Sequence, residues 1–313
     1  MSSWAAYVFP GQASQKVGMG LSVYETYRSA RTVFDEADAS LGFPLSKLCF
    51  EGPTEELVKT VNVQPAILAT SIACLEAARE SLGAKLPKPA FMAGHSLGEY
   101  TALVASKVLS LSDAITLVRE RGRLMYEAGL KAPGSMMAVI AFDRAPLTEV
   151  CAAAGVEISN INAPGQLVIS GAVDKLERAA ELARQRGARR LIPLNVSGAF
   201  HSTLMEPVMD EFVRVLSGFE FKNPVVPIIS NVTATPLTSS SQFREELATQ
   251  LRHCIEWQSS VEYMTRRGVT TYYEVGPGTV LSGLIKRISP DAQTINISGV
   301  EDIVALLNPS PSA

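Results

Sequence analysis

The stretch Ala93-Gly94-His95-Ser96-Leu97-Gly98-Glu99 constrains this chain more than any other. Ahead of it, Pro89-Ala90-Phe91-Met92-Ala93 is a short apolar run bounded by proline and glycine, the pattern of a buried strand. Behind it, Tyr100-Thr101-Ala102-Leu103-Val104-Ala105 reads as helix, so Ser96 falls on a strand-to-helix turn. Gly94 and Gly98 bracket the serine at the Gly-x-Ser-x-Gly spacing of a nucleophile elbow. A serine thrust out on a tight turn crowds the backbone two residues to either side, where only residues without a Cβ fit. The Leu97 amide then lies at a helix N-terminus, placed to donate to a developing oxyanion. A plain glycine-rich turn has the same spacing, so the motif points to catalysis without settling it.

The chain of 313 residues is 47% hydrophobic, enough to bury a large core and to hold more than one domain. A net charge of −3 gives no electrostatic footprint for nucleic acid or an anionic membrane. No apolar run reads as membrane-spanning, and Met1-Ser2-Ser3-Trp4 lacks a basic leader region. Cys49, Cys74, Cys151 and Cys254 make no CxxC pair and no metal-ligand spacing. The expectation is a cytoplasmic protein with reduced thiols and no metal.

In chain order, Ala5-Ala6-Tyr7-Val8-Phe9 predicts a strand opening through Pro10-Gly11 to Gln12, at a strand's carboxyl end where open α/β sheets bind ligands. Residues 23–41 predict one amphipathic helix closed by Gly42, and Thr54 is read as the cap of a brief helix. Pro65 as first helical residue and Gly83 beyond the end frame a helix over 65–82, packed beneath the elbow. Ser112 is read as capping a helix to Ala128 that carries Arg119, Arg121 and Arg123. From Gly134 the pattern changes to strand 136–142, helix 146–154, strands 156–162 and 166–170, helix 174–186 and strand 190–196. That βαββαβ order is the split ferredoxin-like unit. It predicts a small domain over 133–196 inserted in an α/β domain made of 1–132 and 197–313. Strands over 225–230 and 271–275 resume the main sheet, Gly276-Pro277-Gly278 leads to a helix over 279–288, and the end from Pro309 reads as frayed.

A serine nucleophile needs a base, and the chain has three histidines. His95 adjoins Ser96 on a sharp turn, where neighbours point apart. His253 falls in an expected helix and suits a structural role. His201, in Ser197-Gly198-Ala199-Phe200-His201-Ser202 just past the small domain's last strand, lies on a loop between domains, where a general base belongs. A satisfied core histidine is its competing reading. No Asp or Glu is evidently placed as a third member, leaving a carbonyl to orient the imidazole.

Five motifs in this order resemble the malonyl-CoA:acyl carrier protein transacylase family: Phe9-Pro10-Gly11-Gln12, Gly94-His95-Ser96-Leu97-Gly98-Glu99, Arg121 within Arg119-Glu120-Arg121-Gly122-Arg123, Gly198-Ala199-Phe200-His201-Ser202 and Glu274-Val275-Gly276-Pro277-Gly278. The similarity spans about Tyr7 to Ile288. It implies an α/β-hydrolase-like large domain with a ferredoxin-like small domain. It also implies Ser96 as acyl-accepting nucleophile, His201 as general base and the Gln250 carbonyl as its orienting partner. The amides of Gln12 and Leu97 would form the oxyanion hole, Arg121 would bind the malonyl carboxylate, and Asn162 would line the cleft. Phe200 resembles the malonyl-selective members, an aromatic wall that crowds an α-methyl group. One departure stands out: members often carry a proline between the glutamine and the tryptophan, where this chain has Gln250-Leu251-Arg252-His253-Cys254-Ile255-Glu256-Trp257.

The implied chemistry is ping-pong malonyl transfer from malonyl-CoA to the phosphopantetheine thiol of an acyl carrier protein, serving fatty-acid or polyketide extension. No cofactor is implied, since the phosphopantetheine is carried by the partner. A carrier-protein thioesterase would use the same Ser96 and His201 without needing Arg121, and a non-catalytic docking module would use none of them. Arg189-Arg190 and Lys286-Arg287 are candidate contacts for an acidic carrier protein, or ordinary solvated charges. The sequence leaves the oligomeric state open and is compatible with a monomer.

Overall fold

The structure, a computed structural model, describes residues 4–308; Met1, the rest of the N-terminal start, and the Pro/Ser end from Pro309 lie outside the described residues. In chain order the strands are β1 (Trp4–Phe9), β2 (Pro89–Gly94), β3 (Ser135–Ile140), β4 (Glu157–Ala163), β5 (Gln166–Gly171), β6 (Arg190–Pro193), β7 (Ile228–Ile229), β8 (Pro236–Leu237), β9 (Val269–Val275) and β10 (Gln293–Ile297). They form a six-stranded sheet in the order β10-β9-β1-β2-β7-β8 and a four-stranded sheet in the order β4-β5-β3-β6. In the larger sheet every pair is parallel except β7–β8. Its central strand β1 is buried from Ala5 to Phe9, and a parallel strand covered on both faces needs such an unbroken apolar run. The smaller sheet is antiparallel throughout and carries the helices Arg144–Ala154 and Val173–Gln185, a βαββαβ element order.

The helix Thr60–Leu82 runs under the elbow helix Leu97–Ala105 and against Leu111–Lys131 and Arg28–Leu41, and most of its residues are buried. By length and composition the span Thr60–Lys85 could cross a membrane, contrary to the sequence reading, but here its apolar surface is consumed by the core. The helix starts five residues before Pro65, which therefore lies inside it rather than at its first position. A proline in the second turn removes a single helical donor, which the packing around the buried helix tolerates.

Other boundaries moved for local reasons. The single helix expected over 23–41 is two, Leu21–Thr26 and Arg28–Leu41, parted by an extended Tyr27. The Arg31 guanidinium covers the carbonyls exposed at the break, Tyr24 O at 3.2 Å and Glu25 O at 3.0 Å. Thr54 opens its short helix from inside, after Pro53, without a side-chain cap. Ser110, not Ser112, caps Leu111–Lys131, accepting from the Asp113 amide at 3.1 Å. Ser112 instead bonds Ser40 at 2.9 Å. The strand expected over 225–230 shrinks to β7 because Val225 and Val226 donate to Ser106 at the end of the elbow helix, at 3.0 and 2.9 Å. β10 and the helix Val300–Leu307 extend the fold beyond the last element expected from sequence.

The small sheet joins the large domain along its edge strand β4. The edge of β4 bonds the segment after Gln250, with Ile161 N–H to Ile255 O and Ile255 N–H to Ser159 O, each at 2.9 Å. The elbow, at the carboxyl end of β2 in the middle of the large sheet, faces this junction.

Candidate active site

The turn after β2 is made by backbone pressed on backbone. A Cβ at Gly94 would lie 1.8 Å from the Gly98 carbonyl carbon, and one at Gly98 would lie 2.0 Å from the Phe9 carbonyl oxygen. That oxygen also accepts the His95 N–H at 3.1 Å. A Cβ at Gly11 would lie 2.5 Å from His95 O, so the loop carrying Gln12 is packed against the same turn. Ser96 is held at φ 51°, ψ −102°, a left-handed φ that a non-glycine residue keeps only when its surroundings enforce it. Asn231, just beyond β7, supplies part of that enforcement. Its Oδ1 accepts the Ser96 N–H at 2.7 Å and its Nδ2 donates to Gly94 O at 2.6 Å.

Ser96 Oγ lies 2.8 Å from His201 Nε2, and His201 Nδ1 lies 2.8 Å from the Gln250 carbonyl. A carbonyl only accepts, so Nδ1 carries the proton and the unprotonated Nε2 faces the hydroxyl. Burial first, and the nearby Arg121 charge second, push the His201 pKa down to about 3, which keeps the imidazole neutral. The segment lacking the proline still delivers the Gln250 carbonyl. It is pinned by the β4 junction and by Glu256 N–H donating to Asn231 O at 2.8 Å. His253 lies in the turn after the helix that ends at Gln250, not in a helix as expected, and is exposed.

Arg121 is completely buried, unlike its neighbours. Arg123 is tied to Glu120, Glu127 and Glu211, and Arg119 stacks on the Phe43 ring at 4.5 Å. The partners of Arg121 are all neutral: Nη1 donates to Gln64 Oε1 at 2.8 Å, and Nη2 donates to Gln250 Oε1 at 2.9 Å and Ser96 Oγ at 3.1 Å. Its Cζ sits 5.1 Å from the centre of the Tyr100 ring. The arrangement is a buried, neutral imidazole and a buried cation converging on one serine hydroxyl. That constellation suits acyl transfer with an acyl group that ends in an anion.

The chain matches the acyl transferase domain family over residues 6–301. It is 46% identical over 303 residues to the malonyl CoA-acyl carrier protein transacylase of Bacillus subtilis, covering 95% of this chain and 94% of that one. The chain belongs to the malonyl-CoA:acyl carrier protein transacylase family. The transacylase of Escherichia coli K12 is 44% identical over 287 residues, covering 90% of this chain and 92% of its own. Among solved structures, the acyl carrier protein S-malonyltransferase of Vibrio cholerae superposes with a TM-score of 0.93 at 40% identity, covering 97% of this chain and all of that one. A malonyl-transacylase in complex with a type II polyketide synthase acyl carrier protein gives 0.94 at 38% identity, covering 98% of this chain and 100% of its own.

In this family member the remaining candidates fall around the elbow. Leu97 is the first residue of the elbow helix, whose opening amides have no partner within the helix. Gln12 follows Gly11 against the turn. Phe200 is buried in the large core beside His201, and Asn162 on β4 holds His95 Nε2 through its Oδ1 at 2.8 Å, so His95 points away from the serine hydroxyl. No motif in the chain assigns a role to Asn231, Gln64, Glu99 or Glu246. Two of them had a legible signal: Glu99 is the one charged residue of its helix, and Asn231 follows a buried run at a strand's carboxyl end.

The elbow's packing predicts that Gly98→Ala destabilises the protein by about 3 kcal/mol or more, because the Cβ meets backbone that cannot yield. Gly283→Ala, on an open helix position, should leave stability unchanged or raise it by about 1 kcal/mol. Urea denaturation of both variants checks the pair.

Proposed function

We propose that this acyltransferase moves the malonyl group of malonyl-CoA to the phosphopantetheine thiol of an acyl carrier protein through a malonyl ester on Ser96. The observation that carries this reading is the buried Arg121 guanidinium 3.1 Å from the Ser96 hydroxyl. A malonyl thioester differs from acetyl by one carboxylate, three bonds from Oγ once the serine is acylated. Within a buried site that charge is tolerated only against a matched cation, and the planar guanidinium fork matches a carboxylate as lysine cannot. A neutral acyl group leaves the cation without its counter-charge, so discrimination comes from both sides of one contact.

His201 Nε2 takes the Ser96 proton while Oγ attacks the thioester carbonyl. The amides of Leu97 and Gln12 stabilise the tetrahedral oxyanion. The C–S bond breaks, and CoA leaves with the proton returned by His201. The carrier's thiol then gives its proton to His201 and attacks the ester, and Ser96 regains the proton as its bond to the acyl carbon breaks. The reading takes residues 1–132 and 197–313 as the catalytic domain and 133–196 as a small domain closing the cleft. It requires malonyl-CoA and a carrier protein, and no cofactor of its own. A soluble cytoplasmic setting, without nucleic-acid or membrane partners, and a monomeric state are part of the same proposal.

Intact-mass measurement after mixing with malonyl-CoA tests it. A malonyl adduct that Ser96→Ala abolishes, and that His201→Ala forms several orders of magnitude more slowly, is expected. Turnover to free malonate would indicate a thioesterase, and no adduct a docking module.

Because His201 works as a base only when neutral, and burial lowers its pKa, kcat/KM for malonyl-CoA should hold as pH falls through 6.5. Loss of activity should set in only well below the range of an ordinary histidine, as read in a pH–rate profile of the acylation half-reaction.

Arg121→Ala should cut kcat/KM for malonyl-CoA by about 100- to 1,000-fold while acetyl transfer holds or rises. Side-by-side kinetics with both thioesters decide it, and an equal fall for both would make Arg121 a support of the fold.

A further inference from the structure

Glu99 is fully buried three residues after Ser96, and both of its oxygens accept hydrogen bonds. Oε1 accepts the Asn231 N–H at 3.0 Å and Oε2 accepts Gln250 Nε2 at 2.6 Å. The same Nε2 donates to Ser96 O at 2.9 Å, so the amino end of the Gln250 amide is spoken for twice. Its oxygen is thereby turned toward Arg121 Nη2, at 2.9 Å. Reversed, the amide would present donors to a guanidinium and an oxygen to two other oxygens. The orientation of one amide thus sets whether Arg121 is held beside Ser96 or driven from it.

We propose that Glu99 is the positioning residue behind the selectivity of Arg121 for a carboxylate-bearing acyl group, acting through the side-chain amide of Gln250. The proposal rests on the malonyl reading of Arg121 given above. An acid bonded directly to Arg121 would occupy the fork that the substrate carboxylate needs. Placing a neutral amide between them holds the guanidinium while leaving it without a carboxylate partner. Only a carboxyl group meets the demand at position 99, because an amide offers one acceptor oxygen where two are used. The negative charge this puts into the core is limited by the neighbouring Glu246, whose own carboxyl is held by Ser230 Oγ at 2.7 Å and Val232 N–H at 3.2 Å. Burial, and then the charge of Glu246, hold Glu99 well above the usual carboxylate range, and burial raises Glu246 as well.

The test is the ratio of kcat/KM for malonyl-CoA to that for acetyl-CoA, with the rate of Ser96 sulfonylation by phenylmethylsulfonyl fluoride as a carboxylate-free readout of the serine and histidine. Glu99→Gln should lower the ratio about tenfold or more, with sulfonylation staying near the wild-type rate. Gln250→Met, which cuts the same link at its other end and keeps the backbone carbonyl, should lower the ratio similarly. The double variant should fall no further than either single one, since the two act in series. If Glu99→Gln does not fold, Gln250→Met alone decides, and an undiminished ratio in it overturns the proposal. A Glu99→Gln protein that keeps the ratio, or that slows both thioesters and sulfonylation equally, overturns it as well and leaves Glu99 a mere support of the elbow. Arg121→Ala run in parallel tells the two readings apart. If it keeps the ratio, the malonyl reading of Arg121 fails and Glu99 with it; if it abolishes the ratio while Glu99→Gln does not, only the role of Glu99 fails.

Discussion

The contact on which the site depends is between two pieces of backbone, the carbonyl of Phe9 at the end of β1 and Gly98 at the start of the elbow helix. Parallel strands in register bring β1 and β2 to the same height, with Phe9 opposite Gly94, so the loops that follow them must share a small volume. Glycine at 94 and 98 lets them do so, and the strained φ of Ser96 is the result. With the turn closed this tightly, the Leu97 amide and the Gln12 loop end beside the serine without any side chain having to reach for it. Strain at Ser96 persists because Asn231 ties its amide and the Gly94 carbonyl together from the neighbouring strand.

On that rigid turn the electrostatics are arranged by burial. A cation, a neutral histidine and a pair of carboxyls sit within one hydrogen-bonded network, joined by the Gln250 residue twice over. Its backbone carbonyl sets the tautomer of His201, and its side-chain amide separates Arg121 from Glu99. Low dielectric makes each of these placements consequential, since an unpaired or misdirected polar group there costs far more than at the surface. The small antiparallel sheet contributes by pinning the segment after Gln250 along the edge of β4. This explains how the carbonyl stays in place in a segment that has no proline to stiffen it.

Ser96, His201 and Arg121 were legible because each carries a signal in the linear chain. Ser96 has its glycines, His201 its position after the last strand of a βαββαβ run, and Arg121 its place in a motif. The parallel strands β1, β2 and β9 were legible as short apolar runs, as was the alternation that builds the small sheet. The break at Tyr27 was not, because no glycine or proline marks it and it is sustained by a guanidinium from the next helix. The shortening of β7 was equally hidden, since it follows from competition by Ser106, more than a hundred residues away. Gln64 and Glu246 lie far from Ser96 in sequence and have no motif around them.

What the sequence by itself determined is the set of local choices: which turn can carry a serine at positive φ, which runs are buried, and which residue types are present to do acyl chemistry. Those follow from spacing and side-chain chemistry within a few residues. The tertiary structure alone decided which arginine of three is buried, which nitrogen of His201 faces the serine, and which way the Gln250 amide points. The reason is that each is fixed by a partner distant in the chain, and a hydrogen bond between distant residues leaves no period or spacing in the sequence to read.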